Sequence, residues 1–198
     1  MPDHGGEENK MAKFLTLIAA FVIGLFGVSA ASAQSMTVTS ADLKEGATIA
    51  NEQVFNNFGC KGANVSPALS WSGAPSATKS FALSIYDPDA PTGSGFWHWV
   101  VFNVPAATTS LPKGASDPKA KSMPKGAIQS RTDYGLFGYG GPCPPTGDKP
   151  HHYQITVFAV DVDKLPDAKD KNVSAAVVGF DLHFHTLAKA TLTGMYGR

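Results

Sequence analysis

Phe81-Ala82-Leu83-Ser84-Ile85-Tyr86, then Asp87-Pro88-Asp89-Ala90-Pro91-Thr92-Gly93-Ser94-Gly95-Phe96, then Trp97-His98-Trp99-Val100-Val101-Phe102-Asn103-Val104: this stretch decides the fold class. Its first part alternates, with Phe81, Leu83 and Ile85 on one side, which is the period of a strand with one buried face. Its last part is apolar almost without a break, as expected of a strand covered on both faces. The middle is dense in Pro, Gly and Asp and reads as a loop.

Outward from there the same grammar continues. Met36 to Ser40 reads as a short strand, Tyr153 to Val162 repeats the alternation through Ile155, Val157 and Ala159, and Leu187 to Tyr196 reads as the last strand. Turn clusters fall at 59–67 and 138–150. Helix is weakly signalled: Ser174 can cap a segment through Ala175, Ala176, Val178 and Phe180, which Gly179 is expected to break or end. With 20 Gly and 14 Pro, long-helix architectures are disfavoured. Strands separated by long loops argue for a mainly β domain, a sandwich or mixed sheet with one or two short peripheral helices.

At the other end of the chain, Lys10 and Lys13 precede an apolar run from Phe14 to Val28, followed by small residues that end in Ala31-Ser32-Ala33. This is the pattern of a secretory signal peptide, with cleavage expected after Ala33. The run is shorter than the ~20 residues that span a bilayer, so no transmembrane segment is expected after processing. Met11 is an alternative start. Residues 34–198 then form one domain, located in the periplasm or secreted. The 16 basic and 16 acidic residues balance, which argues against a nucleic-acid partner. Export matters for Cys60 and Cys143, because disulfides persist outside the cytosol. Their pairing would close a loop of about 80 residues, worth roughly 4 kcal/mol in the chain-entropy model; two separately buried thiols are the alternative.

Two loops collect polar groups at strand ends, where a rigid sheet can hold them beside a ligand. In the first, prolines restrict the backbone around Asp87 and Asp89. Asp87, at the strand mouth, is expected to face a pocket, and Asp89 to cap a turn. A carboxylate from this loop would satisfy His98, fix its tautomer and raise its pKa. The second loop runs from Gly138 through Gly141-Pro142-Cys143-Pro144-Pro145-Thr146-Gly147 to His151-His152-Tyr153. Strand alternation pairs His151 with Tyr153 and turns His152 to the opposite face. A nucleophile elbow, a phosphate-binding glycine loop and a dinucleotide motif are missing. His98, His151, Asp87 and the His183-x-His185 pair lack the spacing of a zinc site, so neither metal nor cofactor is expected.

These motifs resemble the phosphatidylethanolamine-binding protein family, more narrowly its bacterial Raf-kinase-inhibitor-like branch. The resemblance rests on Phe58-Gly59-Cys60, Asn64-Val65-Ser66-Pro67, Leu69-Ser70-Trp71, the 86–91 loop, Trp97-His98-Trp99, and the 141–147 loop with His151-His152-Tyr153. It covers the chain from about Met36 onward. It implies a two-sheet β-sandwich-like fold and a small pocket for anionic head groups or phosphorylated peptides. Carried over residue by residue, that pocket is lined by Asp87, His98, Pro145, His151 and Tyr153, with Asp89 and His152 structural beside it. His152 stands where the family commonly has Arg, which puts loop organisation by charge-assisted bonds in doubt. The chain also ends soon after Tyr196, without the C-terminal helix that borders the pocket in animal members. The branch resemblance is compatible with a homodimer. Three functions compete: a binding protein for phosphate- or carboxylate-bearing small molecules or phospholipid head groups; an interaction module that inhibits a protease, envelope or host protein partner; and a hydrolase using a His/Asp pair.

Overall fold

The computed structural model describes residues 35–198, so the leader, its cleavage after Ala33 and the alternative start at Met11 lie outside the described residues. The elements run β1 (Thr37–Thr39), β2 (Leu69–Ser72), β3 (Ser80–Asp87), β4 (Phe96–Pro105), β5 (Ser110–Leu111), β6 (Ile128–Gln129), β7 (His151–Val160), α1 (Ala175–His185) and β8 (Thr186–Tyr196). They form a three-stranded sheet ordered β1-β2-β5 and a five-stranded sheet ordered β6-β4-β3-β7-β8. All pairings between these strands are antiparallel. The protein is therefore mainly β with two sheets, as the sequence implies.

Side-chain alternation explains the layers. Phe81, Leu83 and Ile85 of β3, Trp99 and Val101 of β4, and Tyr153, Ile155 and Val157 of β7 share one face of the large sheet. They pack with Leu69 and Trp71 of β2 and Leu111 of β5 into one core. The opposite face carries Ala82, Val100, Phe102 and Val160, against which α1 lays Ala175, Val178 and Leu182. The unbroken apolar run of β4 follows from this arrangement, because both of its faces are covered.

One expectation needs correction. Gly179 neither breaks nor ends α1, which runs on to His185. Ser174 does cap it, its hydroxyl accepting from the Val177 N–H. An interior glycine costs a helix roughly 1 kcal/mol relative to alanine, less than the burial of Val178 and Leu182 on either side supplies. The described residues hold this single helix, and none is long and apolar enough to cross a membrane. The strand predicted at 36–40 is shorter by a residue at each end, and the strand predicted from Tyr153 begins at His151 and stops at Val160. The short strands β2, β5 and β6 carry too few residues to show a period.

Cys60 and Cys143 form a disulfide, with their Cα atoms 5.9 Å apart. It ties the segment before β2 to the loop before β7, beside a small apolar cluster of Val54 and Phe55. Here Gly141 comes so close to Gln53, Val54 and Phe55 that a Cβ would collide with their backbone. Asn64, in the left-handed region at φ 53°, fastens the same loop: its Oδ1 accepts from the Gly141 N–H and its Nδ2 donates to the Tyr139 carbonyl.

Candidate functional site

Alternation places Asp87 at the end of β3 and His151 and Tyr153 at the start of β7 on the inner face of the large sheet. His98 reaches the same face by a different device. Ile85 pairs with Trp99 but Tyr86 pairs with Trp97, so β4 carries an extra residue opposite this step. Such a bulge re-aims the side chains around it. Trp97 consequently packs on the outer face with Tyr86, while His98 sits edge-on to Tyr153, with ring centroids 5.1 Å apart.

These side chains border a cavity of about 230 Å³, together with Pro145 at its exposed rim. The structure thus brings the five residues expected at the pocket, from two loops distant in sequence, around one space. Phe58, Phe96 and Tyr134 supply the apolar wall, and Ala90, Pro91 and Thr92 the side formed by the 87–95 loop. Tyr134 and its neighbour Asp133 escaped the sequence reading. Tyr134 is held by stacking on Phe55 at 4.0 Å and by donating its hydroxyl to the Gly141 carbonyl at 3.2 Å. Asp133 accepts from the Trp97 N–H at 2.8 Å. Neither contact leaves a mark in the local sequence pattern.

The polar wiring differs from the expectation: the turn is capped by Asp87 and not by Asp89, whose carboxylate reaches across to His152. Asp87 does not hold His98. Its Oδ1 accepts from the Asp89 and Ala90 N–H groups at 2.9 and 3.1 Å, and its Oδ2 faces His151 Nδ1 at 2.7 Å. Asp87 is therefore both the turn cap and the partner of an imidazole, and its accepting capacity is used inside the protein. A carboxylate only accepts, so Nδ1 of His151 carries the proton. Its Nε2 lies 3.5 Å from Asp148 Oδ2. His98 Nδ1 instead lies 2.8 Å from the Gly140 carbonyl, to which it must donate. Burial then pushes the His98 pKa down, opposed by its bond to Gly140 and the charge of Asp87; the expected rise is reversed because desolvation outweighs the distant carboxylate.

Outside the cavity, Asp89 and His152 make an exposed pair. Asp89 Oδ2 accepts from both the backbone N–H and the Nδ1 of His152, each at 2.7 Å. These two bonds, the backbone one first, hold the Asp89 pKa below its ordinary value. Both residues bond to each other outside the lining of the cavity, and His152 faces away from it. His185 bonds Asp161 at 2.9 Å on the far side of the sheet, and no group of three metal-ligating side chains occurs among the described residues.

Tyr153 completes the site. Its ring is fully buried, and its hydroxyl, itself without exposed surface, stands beside the Asp87 carboxylate without a hydrogen bond of good geometry. Burial first, and the Asp87 charge next, raise its pKa well above the ordinary phenol value. The phenol therefore keeps its proton, buried beside the Asp87 carboxylate.

Comparison with known proteins identifies the arrangement: the family model described as phosphatidylethanolamine-binding protein matches residues 39–197. The chain belongs to the phosphatidylethanolamine-binding protein family. Among relatives, the UPF0098 protein YbcL of Escherichia coli is 49% identical over 181 residues, covering 91% of this chain and 97% of that one. YbhB of the same organism is 47% identical over 161 residues, covering 81% and 99%. The crystal structure of E. coli YbcL, described as a member of the mammalian phosphatidylethanolamine-binding protein family, superposes with a TM-score of 0.80 over 83% of this chain and 99% of that one. A phosphatidylethanolamine-binding protein homolog from Chlamydia trachomatis, 30% identical, gives a TM-score of 0.69 over the same 83% of this chain and 99% of its own. Within this family the present chain keeps His152 next to His151, and meets the loop carboxylate of Asp89 with an imidazole.

Proposed function

We propose that this member of the family is an exported binding protein whose cavity takes the phosphate or carboxylate group of a small ligand or head group. The observation that carries the reading is the small cavity of about 230 Å³ at whose wall the His151 and His98 imidazoles stand beside Tyr153. A ligand oxygen would sit against the imidazole that Asp87 fixes, accepting from its Nε2–H when that ring is protonated. The cavity is smaller than the ~300 Å³ at which pockets for drug-sized ligands begin, which favours an anionic group over a whole lipid. Export is supported by the leader pattern and by the disulfide, a bond that persists in oxidising compartments.

Calorimetric titration with phosphoethanolamine tests the reading. Wild-type protein should bind, and His151→Ala should lose at least tenfold in affinity. No binding to wild type at millimolar ligand, or unchanged binding in His151→Ala, would overturn it. For export, the chain recovered from a bacterial periplasm should begin at Gln34; recovery only as intact cytosolic chain counts against that half.

A further inference from the structure

A second recess, of about 340 Å³, lies at the opposite end of the large sheet from the cavity, where β3 begins, β4 ends and the chain has left β7. The 8 residues of β3, at ~3.4 Å each, put roughly 25 Å between the two. Three cationic side chains border the recess from three separate segments: Lys79 just before β3, Lys125 in the loop before β6, and Lys164 in the loop after β7. Asp163 is the one carboxylate in its lining. The ion pairs among the described residues involve Lys113 and three histidines, and none of these lysines. Like charges gathered without partners repel one another, so the grouping adds nothing to the stability of the fold. Asn103 supplies a further donor. It is 8% exposed and stands in the left-handed region at φ 57°. Its Oδ1 accepts from the Leu165 N–H at 2.9 Å, which fixes the way the amide is turned. Its Nδ2, with two protons to give, makes no hydrogen bond among the described residues and is not sealed from solvent. Asn103 borders the recess, so this unpartnered donor joins the three amines there.

We propose that this recess is a second ligand site, for a small polyanion of linked phosphate groups such as a diphosphate, whose oxygens accept from Lys79, Lys125, Lys164 and the Nδ2 of Asn103. Amines that come from three segments are engaged together only by a ligand with several charged oxygens; an anion with one small charged group leaves some of them unpaired. Lysine suits the task, because a compact charge on a flexible stem can close on phosphate oxygens from different directions. At Gly126, beside Lys125 in the lining, nothing stands within 4 Å of the place a Cβ would take, so the wall is open to a ligand there. The cavity at the other end has the opposite character: no lysine or arginine is among its lining residues, and Asp87 and Asp133 border it. A polyanion is therefore drawn to the recess and turned away from the cavity. The two sites stand or fall separately, since they share no residue.

Calorimetric titration with inorganic pyrophosphate in metal-free buffer at neutral pH, with sulfate as the single-group control, tests the proposal. Wild-type protein should take up one pyrophosphate per chain, at least tenfold more tightly than sulfate. The affinity should drop about tenfold as ionic strength rises from ~0.01 M to ~0.15 M and the screening length shrinks from ~30 Å to ~8 Å. Replacing all three amines, as Lys79→Gln with Lys125→Gln and Lys164→Gln, should abolish binding. Asn103→Asp is the sharper variant. Its carboxylate still accepts from the Leu165 N–H, and Asp tolerates the left-handed region as Asn does, so the thermal midpoint should hold; the donor is lost and a negative charge takes its place, so pyrophosphate affinity should fall at least tenfold. His151→Ala, at the other end of the sheet, should bind pyrophosphate as wild type does. Failure of wild type to bind pyrophosphate at millimolar concentration, equal affinity for sulfate, or affinity unchanged in the lysine variant or in Asn103→Asp would overturn the proposal while leaving the cavity as it is. Loss of pyrophosphate binding in His151→Ala would also overturn it, by moving the ligand to the cavity.

Discussion

His98 shows how one buried ring can link a site to stability. Its neutral form is favoured in the folded protein, because burial lowers its pKa from an ordinary 6.5. The unfolded chain therefore binds the proton first on acidification, and folding stability falls as the pH drops below 6.5. A fully developed one-proton difference gives a slope of about 1.4 kcal/mol per pH unit. Asp89 acts in the same direction but lower, since its depressed pKa matters only as the pH falls through and below 3.8. The two windows are separable. Denaturant unfolding between pH 7 and pH 5 should show wild type losing stability more steeply than His98→Phe. That variant starts from a lower plateau, having left the Gly140 carbonyl unpaired. Parallel slopes would mean that His98 takes up its proton in the folded state as readily as in the unfolded one.

At the level of elements, what was legible in the sequence and what was not divides on physical grounds. β4 announced itself because both its faces are buried, and β3 and β7 because their alternation is their own property. The bulge that turns His98 inward could not be read, since it exists only in the register of Trp99 and Trp97 against Ile85 and Tyr86. For the same reason the carboxylate of Asp87 was assigned to His98 when its partner is His151, a strand away. Tyr134 was missed because its place depends on a stack with Phe55, far off in sequence. Glycine was misjudged in α1, where a rule of propensity met tertiary packing. Gly179 is exposed, with nothing within 4 Å of the position its Cβ would take. Gly179→Ala should thus stabilise the protein by about 1 kcal/mol, visible as a higher denaturant midpoint at constant m. Gly141→Ala should do the opposite. There the added methyl is forced against the backbone of Gln53 to Phe55, and overpacking of this kind costs about 1–3 kcal/mol. A neutral Gly141→Ala would mean that the 138–150 loop stands further from the 51–57 segment than the structure has it.

Across the whole molecule, the large sheet is a rigid wall and the cavity is assembled against it by loops from four regions, one of them the segment of Asp133 and Tyr134. The 87–95 loop is held by Asp87 and by the Asp89–His152 pair. The 138–150 loop and the 51–66 segment have little regular secondary structure, and hold one another through Asn64, Tyr139 and the disulfide. Tyr139, for instance, donates its hydroxyl to the Gln53 carbonyl at 2.7 Å. Cys143 lines the cavity and its partner sits two residues beyond Phe58, which lines it too. The covalent bond thus ties together two segments that border the site. It also spans a sequence separation of 83, so its loss should cost roughly 4.5 kcal/mol in the chain-entropy model, a large share of the 5–15 kcal/mol that holds a typical domain together. Cys60→Ser with Cys143→Ser should accordingly lower the thermal midpoint well beyond either glycine substitution. Under conditions where the double variant remains folded by near-UV circular dichroism, its affinity for phosphoethanolamine should also fall, because Phe58 and Pro144 are no longer fixed to each other. Lost stability with unchanged affinity would confine the bond to the scaffold and leave the noncovalent contacts around Asn64 and Gly141 as what shapes the cavity.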